Sequence, residues 1–109
     1  MATKANLVID QGSTFLVELD LKDENGDILV LSGYTANSQI RKWYTSSSPA
    51  AAFTTDINVA NGSITLSLTS DETSSLTAGR YVYDVEIQDG SSVTRIIEGI
   101  VTVTPQVTR

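Results

Sequence analysis

The chain contains no histidine and no cysteine. Without histidine it lacks the commonest general base, every serine–histidine triad and the commonest metal ligand. Without cysteine it has no thiol nucleophile, no thiolate zinc site and no disulfide framework. Stability must then come from packing and backbone pairing. The absence of cysteine also suits a reducing cytoplasm. Long apolar runs are missing too. The amino-terminal stretch has only Leu7, Val8 and Ile9 in a row, which reads as neither a signal peptide nor an anchor. No segment approaches the roughly 20 apolar residues of a membrane span. Cations are scarce: 7 Lys and Arg stand against 13 Asp and Glu, for a net charge of −6. That balance disfavours nucleic acid and anionic membrane as partners.

What is present is a β pattern. A length of 109 residues suits one domain. From Ala78 to Pro105 two alternating runs flank a turn at Asp89-Gly90-Ser91-Ser92. Tyr81, Tyr83, Val85 and Ile87 share one face; Val82, Asp84, Glu86 and Gln88 share the other. Val93 to Val103 returns as the hairpin partner. Upstream, Leu7–Ile9 is a short strand, and Thr14–Lys22 is a second with Val17 and Leu19 inward. Asp23 to Asp27 forms an Asn-Gly turn, and Ile28–Leu31 returns briefly. Tyr34–Tyr44 places Tyr34, Ala36, Ser38 and Ile40 inward, with a bulge expected at Lys42–Tyr44. Thr45–Ala52 reads as a loop. Phe53, Thr55, Ile57 and Val59 continue at period two. After a turn at Ala60–Gly62, Ile64, Leu66 and Leu68 face in. Ser70 is expected to cap one helical turn, pinned to the core by Leu76. Roughly eight short strands predict a two-sheet sandwich. Its expected core is Val17, Leu19, Ile40, Ile57, Leu66, Tyr83, Val85 and Ile97 or Ile96.

Sites of chemistry are sparse. Asp23, Asn25 and Asp27 resemble part of a calcium loop, but Gly26 precedes Asp27 and no glutamate follows at the required distance. Turn chemistry explains them better. Asp84 and Glu86 lie two apart on an outer strand face, where a solvated pair is the simpler reading than acid–base catalysis. Gly12-Ser13-Thr14 lacks the lysine context of a phosphate loop. The sequence implies no catalytic residue, no cofactor and no metal. Arg41, Lys42, Trp43 and Tyr44 form the one basic–aromatic cluster, of residue types common at interface hot spots. The same residues would serve for capping one end of the core.

Two segments carry a family resemblance. Ser32-Gly33-Tyr34-Thr35 follows an Asn-Gly-Asp hairpin and leads into a strand ending Ile40-Arg41-Lys42. Leu76-Thr77-Ala78-Gly79-Arg80-Tyr81 follows an Ile-Thr-Leu-Ser-Leu strand and precedes a Glu-Gly-x-Val-Thr-Val strand. Ala5 to Arg109 thereby resembles the small Ig-like domains of tailed-bacteriophage structural proteins, including the first domain of baseplate upper proteins. The resemblance implies one Ig-like antiparallel sandwich of seven to eight strands over residues 1–109. It implies a non-enzymatic virion subunit of capsid, neck, tail or baseplate, assembled in the host cytoplasm. Its partners would be other virion proteins, in a homo-oligomer or symmetric array. The alternative is a carbohydrate- or host-surface-binding module. Contact is expected through strand edges at Leu7, Val8 and Ile9 and at Gly99–Thr104, including Val101 and Val103. Leu16, Arg41, Trp43 and Tyr44 are the other expected contact residues. The tails, 1–6 and 106–109, are expected to order only against a partner.

Overall fold

A computed structural model describes residues 3–22, 26–27 and 31–107. The alternating runs appear there as strands β1 (Thr3–Lys4), β2 (Leu7–Asp10), β3 (Phe15–Asp20), β4 (Thr35–Arg41), β5 (Ala51–Ala52), β6 (Thr54–Asn58), β7 (Ser63–Leu68), β8 (Gly79–Asp89) and β9 (Ser92–Thr104). A five-residue helix, α1 (Ser70–Ser74), separates β7 from β8. The larger sheet has the order β1–β9–β8–β4–β5, with β2 also on β9; the smaller is β3–β7–β6. This is the two-sheet sandwich that the alternation predicts, of the Ig-like kind that the resemblance implies. It departs from a purely antiparallel one because β1 and β2 run parallel to β9.

The core lies between the sheets. Ile64, Leu66 and Leu68 of β7 face Ile40 of β4 and Tyr81, Tyr83, Val85 and Ile87 of β8. Phe53 links the two layers, its ring 5.8 Å from Phe15 and 6.0 Å, edge-on, from Tyr83. Of the expected core, Ile40, Leu66, Tyr83, Val85 and Ile97 are buried. Val17, Leu19 and Ile57 are only half-buried. They sit on β3 and β6, the outer strands of the three-stranded sheet, each hydrogen-bonded on one side only among the described residues. Val59, expected inward, is exposed because β6 ends at Asn58 and the next turn begins there. A register shift between Val85 and Glu86 pairs them with Ile97 and Arg95, leaving Ile96 as the extra residue. That bulge explains why adjacent isoleucines both suit the core pattern: Ile97 is buried and Ile96 packs against the core from its margin. No bulge forms at Lys42–Tyr44, where the chain turns instead.

The helical turn is capped one residue earlier than expected. Thr69, extended at ψ 163°, accepts from the Glu72 amide at 3.2 Å. The Glu72 carboxylate accepts from the Thr69 amide at 2.8 Å. This reciprocal pair needs the glutamate three residues after the cap, a spacing that Thr69 meets and Ser70 does not. Buried Thr73 then closes one end of the sandwich. Its hydroxyl accepts from the Gly12 amide at 3.0 Å and donates to the Ser13 carbonyl at 2.9 Å. Gln11 spans the same end, donating to the Leu76 carbonyl and accepting from the Gln106 amide.

Two expectations at the termini are corrected. The segment Gly99–Thr104 is not a free edge, because β8 and the β1–β2 segment flank β9 on both sides. The amino-terminal residues 3–6 pair within the domain: β1 joins β9, and the Ala5 amide donates to the Glu98 carbonyl at 2.9 Å. Residues 1–2, 108–109, most of the expected Asp23–Asp27 turn and residues 28–30 of the expected Ile28–Leu31 return lie outside the described residues. Gly99 permits the amino-terminal pairing. A Cβ there would run into the Ala5 carbonyl oxygen and crowd the Tyr83 ring. Gly99→Ala is therefore expected to cost about 1–3 kcal/mol and to speed amide exchange at residues 3–5. Unfolding curves superimposable on the parent's would show that this approach carries no strain.

Candidate contact surface

The strand register fixes which residues share the outer face of the larger sheet. Val8 pairs with Thr102, and Thr102 with Arg80. In the next row Ile100 pairs with Val82, and Val82 with Arg41. Glu98, Asp84 and Gln39 follow, then Arg95, Glu86 and Asn37. The face is thus apolar toward one end and charged toward the other.

The turn after β4 adds aromatic surface to the apolar end. It is held by local bonds: the Trp43 amide donates to the Ser46 hydroxyl at 3.0 Å, and the Ser46 amide to the Trp43 carbonyl at 3.1 Å. Arg41 braces it by donating to the Ser46 carbonyl and to the Gln39 side-chain oxygen, both at 2.8 Å. Lys42 reaches across to the Arg80 carbonyl at 3.0 Å, with its ammonium 4.8 Å from the Tyr81 ring centre and 5.8 Å from that of Trp43. Trp43 is left 66% exposed and Tyr44 72%. With Val82 and Ile100 they line an open depression of about 370 Å³. A second, of about 240 Å³, adjoins it through Tyr44 and Val82 and is lined by Gln39, Arg41, Asp84, Glu86, Arg95 and Glu98.

Charge in the second depression is partly compensated. Asp84 and Glu98 stand directly opposite on neighbouring strands, a like-charge pair that is unfavourable alone. Arg95 bridges them, 4.0 Å from Asp84 and 3.6 Å from Glu98. These groups are solvated, so each pair is worth little. Asp84 and Glu86 therefore occupy a braced, open face. Among the described residues, no group of three acidic side chains is placed to hold a metal.

The expected contact residues divide in two. Trp43, Tyr44 and Arg41 gather at the depression. Val8 lies one row away at the rim of the same face, and Leu16 is exposed on the other sheet. Leu7, Ile9, Val101 and Val103 are buried. Their side chains fill the core from β2 and β9, and of the residues singled out on these two strands only Val8 points outward. Val82 was not among the expected contact residues, and Ile100 fell within the expected Gly99–Thr104 edge without being singled out. Val82 had a signal: it is the apolar residue on the otherwise polar face of Asp84, Glu86 and Gln88. Ile100 could be placed only once the bulge had set the phase of β9.

No protein-family model matches this chain, and no curated protein matches it. Comparison with solved structures finds 247 similar chains. One is InlP of Listeria monocytogenes, with a TM-score of 0.54 at 21% identity, covering 94% of this chain. The match spans 28% of that chain's own length. At that identity the likeness shows the fold alone, and a fold so widely shared carries no activity with it.

Proposed function

We propose that this chain is a non-enzymatic structural or accessory subunit of a tailed-bacteriophage particle, and that it works by protein–protein contact. The observation that carries the contact reading is the pair of exposed rings, Trp43 and Tyr44, held on a braced turn beside Val82 and Ile100. Covering a large apolar side chain yields about 1.5–3 kcal/mol, and a preformed platform loses little entropy when it binds. The virion setting rests on the segments Ser32–Thr35 and Leu76–Tyr81, which resemble phage Ig-like domains. Repeated copies in a symmetric array would let modest contacts add up.

The test is incorporation. Particles purified from producing cells contain the chain by mass spectrometry. A variant carrying Trp43→Ala and Tyr44→Ala keeps its circular dichroism and loses about tenfold or more in incorporation, as hot-spot residues do. Absence of the parent chain from particles would remove the virion reading. Equal incorporation of the variant would remove the outer-face contact.

A second reading is a carbohydrate-binding module. The observation favouring it is the juxtaposition of exposed rings with hydrogen-bonding groups of Gln39, Asp84 and Glu98. A glycan array probed with the purified chain distinguishes the two. Specific glycan binding lost with Trp43→Ala favours the carbohydrate reading, and a blank array favours the protein contact.

A further inference from the structure

Around the aromatic depression the local charge is opposite to that of the chain. The chain carries −6 in all, yet Lys42 and Arg80 line the depression with Trp43, Tyr44, Val82 and Ile100, and no carboxylate lines it. Arg41 pairs with Val82 at its margin. Among the described residues, both ion pairs of this face belong to Arg95, and Arg41, Lys42 and Arg80 have no carboxylate partner. Arg41 and Lys42 donate only to neutral oxygens, the Ser46 and Arg80 carbonyls and the Gln39 side chain. A guanidinium and an ammonium each carry more N–H donors than those bonds use. The Arg80 side chain is exposed and has no hydrogen-bond partner among the described residues.

The opposite charge begins past Val82, where Asp84, Glu86 and Glu98 line the adjoining depression with Arg41 and Arg95. Whatever covers the aromatic end must suit both its rings and its cations. A purely apolar partner would bury Lys42 and Arg80 without a counter-charge, which is costly. A cationic partner would be repelled. A neutral sugar would leave the cations unpaired, and the aliphatic floor of Val82 and Ile100 offers its hydroxyls no partner. An apolar side chain accompanied by carboxylates meets every group present.

We infer that the outer-face contact proposed above, on which this reading rests, is made by an acidic segment of a different protein. An aromatic or aliphatic residue of that segment sits among Trp43, Tyr44, Val82 and Ile100. Asp or Glu beside it reaches Lys42 and Arg80. The rings supply contact area, and the charge-assisted bonds supply direction. Asp84, Glu86 and Glu98 disfavour further carboxylates past Val82. The acidic residues of the segment therefore lie on the Arg80 side of its anchor.

Trp43 is the sole tryptophan of the chain, so its fluorescence reports on this site alone. The probe is a synthetic octapeptide with a phenylalanine–leucine pair flanked by aspartates. One control carries lysines in place of the aspartates, the other serines in place of the apolar pair. The acidic probe shifts the Trp43 emission to shorter wavelength, saturably, and binds about tenfold or more tightly than either control. A net charge of −6 would by itself draw the lysine peptide, so this preference reads the local cations. Added salt weakens the binding. Arg80→Glu, whose side chain braces nothing, weakens it about tenfold. Lys42→Gln, which removes the charge and keeps a donor, weakens it in the same direction and covers the case of a misfolded Arg80 variant. Unchanged emission, an equal or stronger response to either control, or unaltered binding by both variants overturns the inference. Tighter binding of glucuronate or of oligothymidylate also overturns it, by assigning the cations to an anionic sugar or to nucleic acid. A shift that grows with protein concentration in the absence of peptide does the same, by assigning the platform to a second copy. Loss of particle incorporation on Trp43→Ala with Tyr44→Ala would still stand in each of these cases, so the contact and its acidic partner fail separately.

Discussion

Leu66→Ala is expected to lower the unfolding free energy by about 2–5 kcal/mol. Leu66 is fully buried at the centre of β7, paired with Val17 on one side and Thr55 on the other. Two ladders hold its backbone, so the strand cannot settle into the space left by the missing side chain. The residual cavity adds to the lost transfer energy, which puts the cost above that of area alone. Leu16→Ala is the internal control. The two residues lie on adjacent strands, but Leu16 points outward and is 68% exposed, so its truncation should stay within about 0.5 kcal/mol. Urea unfolding followed by tryptophan fluorescence and circular dichroism gives both values. A Leu66→Ala loss as small as that of Leu16→Ala would mean the assigned inner face of β7 is wrong.

Period-two patterning made this core legible from sequence, and the limits of that legibility are local. Ile64, Leu66 and Leu68 alternate cleanly with Thr65 and Ser67, and all three are buried. Side-chain alternation says which face a residue joins. It does not say which strand lies beside it. Val17 and Leu19 therefore looked like core and proved to be margin, because β3 is an outer strand of its sheet among the described residues, a placement set by long-range pairing. The same gap hid the cover that β1 and β2 give to β9, and hence the burial of Val101 and Val103. The contact surface was half legible. Trp43 and Tyr44 stood out as a basic–aromatic cluster in a chain with one tryptophan and four tyrosines. Their apolar floor, Val82 and Ile100, comes from two strands in a register set partly by a bulge. The cap at Thr69 was missed for a smaller reason. Thr69 and Ser70 both suit the position by residue type, and the signal that separates them is the glutamate three residues after Thr69.

The second large effect is a loss of stability in alkali that depends on one phenol. Tyr83 is buried on β8, and its hydroxyl donates to the Ala5 carbonyl at 2.6 Å. Burial disfavours the phenolate and pushes the pKa from 10.0 up to about 12. Ionisation would also strip the donor and set a negative oxygen against a carbonyl, loosening the tie between β8 and the amino-terminal strand. The folded state thus holds its proton more tightly than the unfolded chain, so this contribution is complete below pH 10. It declines as pH rises from 10 through 12 and is absent above that. At about 1.4 kcal/mol per pKa unit, the decline amounts to roughly 2–3 kcal/mol. Tyr83→Phe separates it from other alkaline titrations. At pH 8 the variant should be less stable by about 1 kcal/mol, the net worth of the lost hydrogen bond. As pH climbs past 11 the parent loses the Tyr83 contribution and the variant has none to lose, so the two stability curves should cross. Urea unfolding of both proteins between pH 8 and 12 reads the crossing directly. Amide exchange at residues 3–5 of the parent should quicken over the same range. Curves that remain parallel would show that the Tyr83 hydroxyl is solvated in the folded chain and does not fasten the amino-terminal strand.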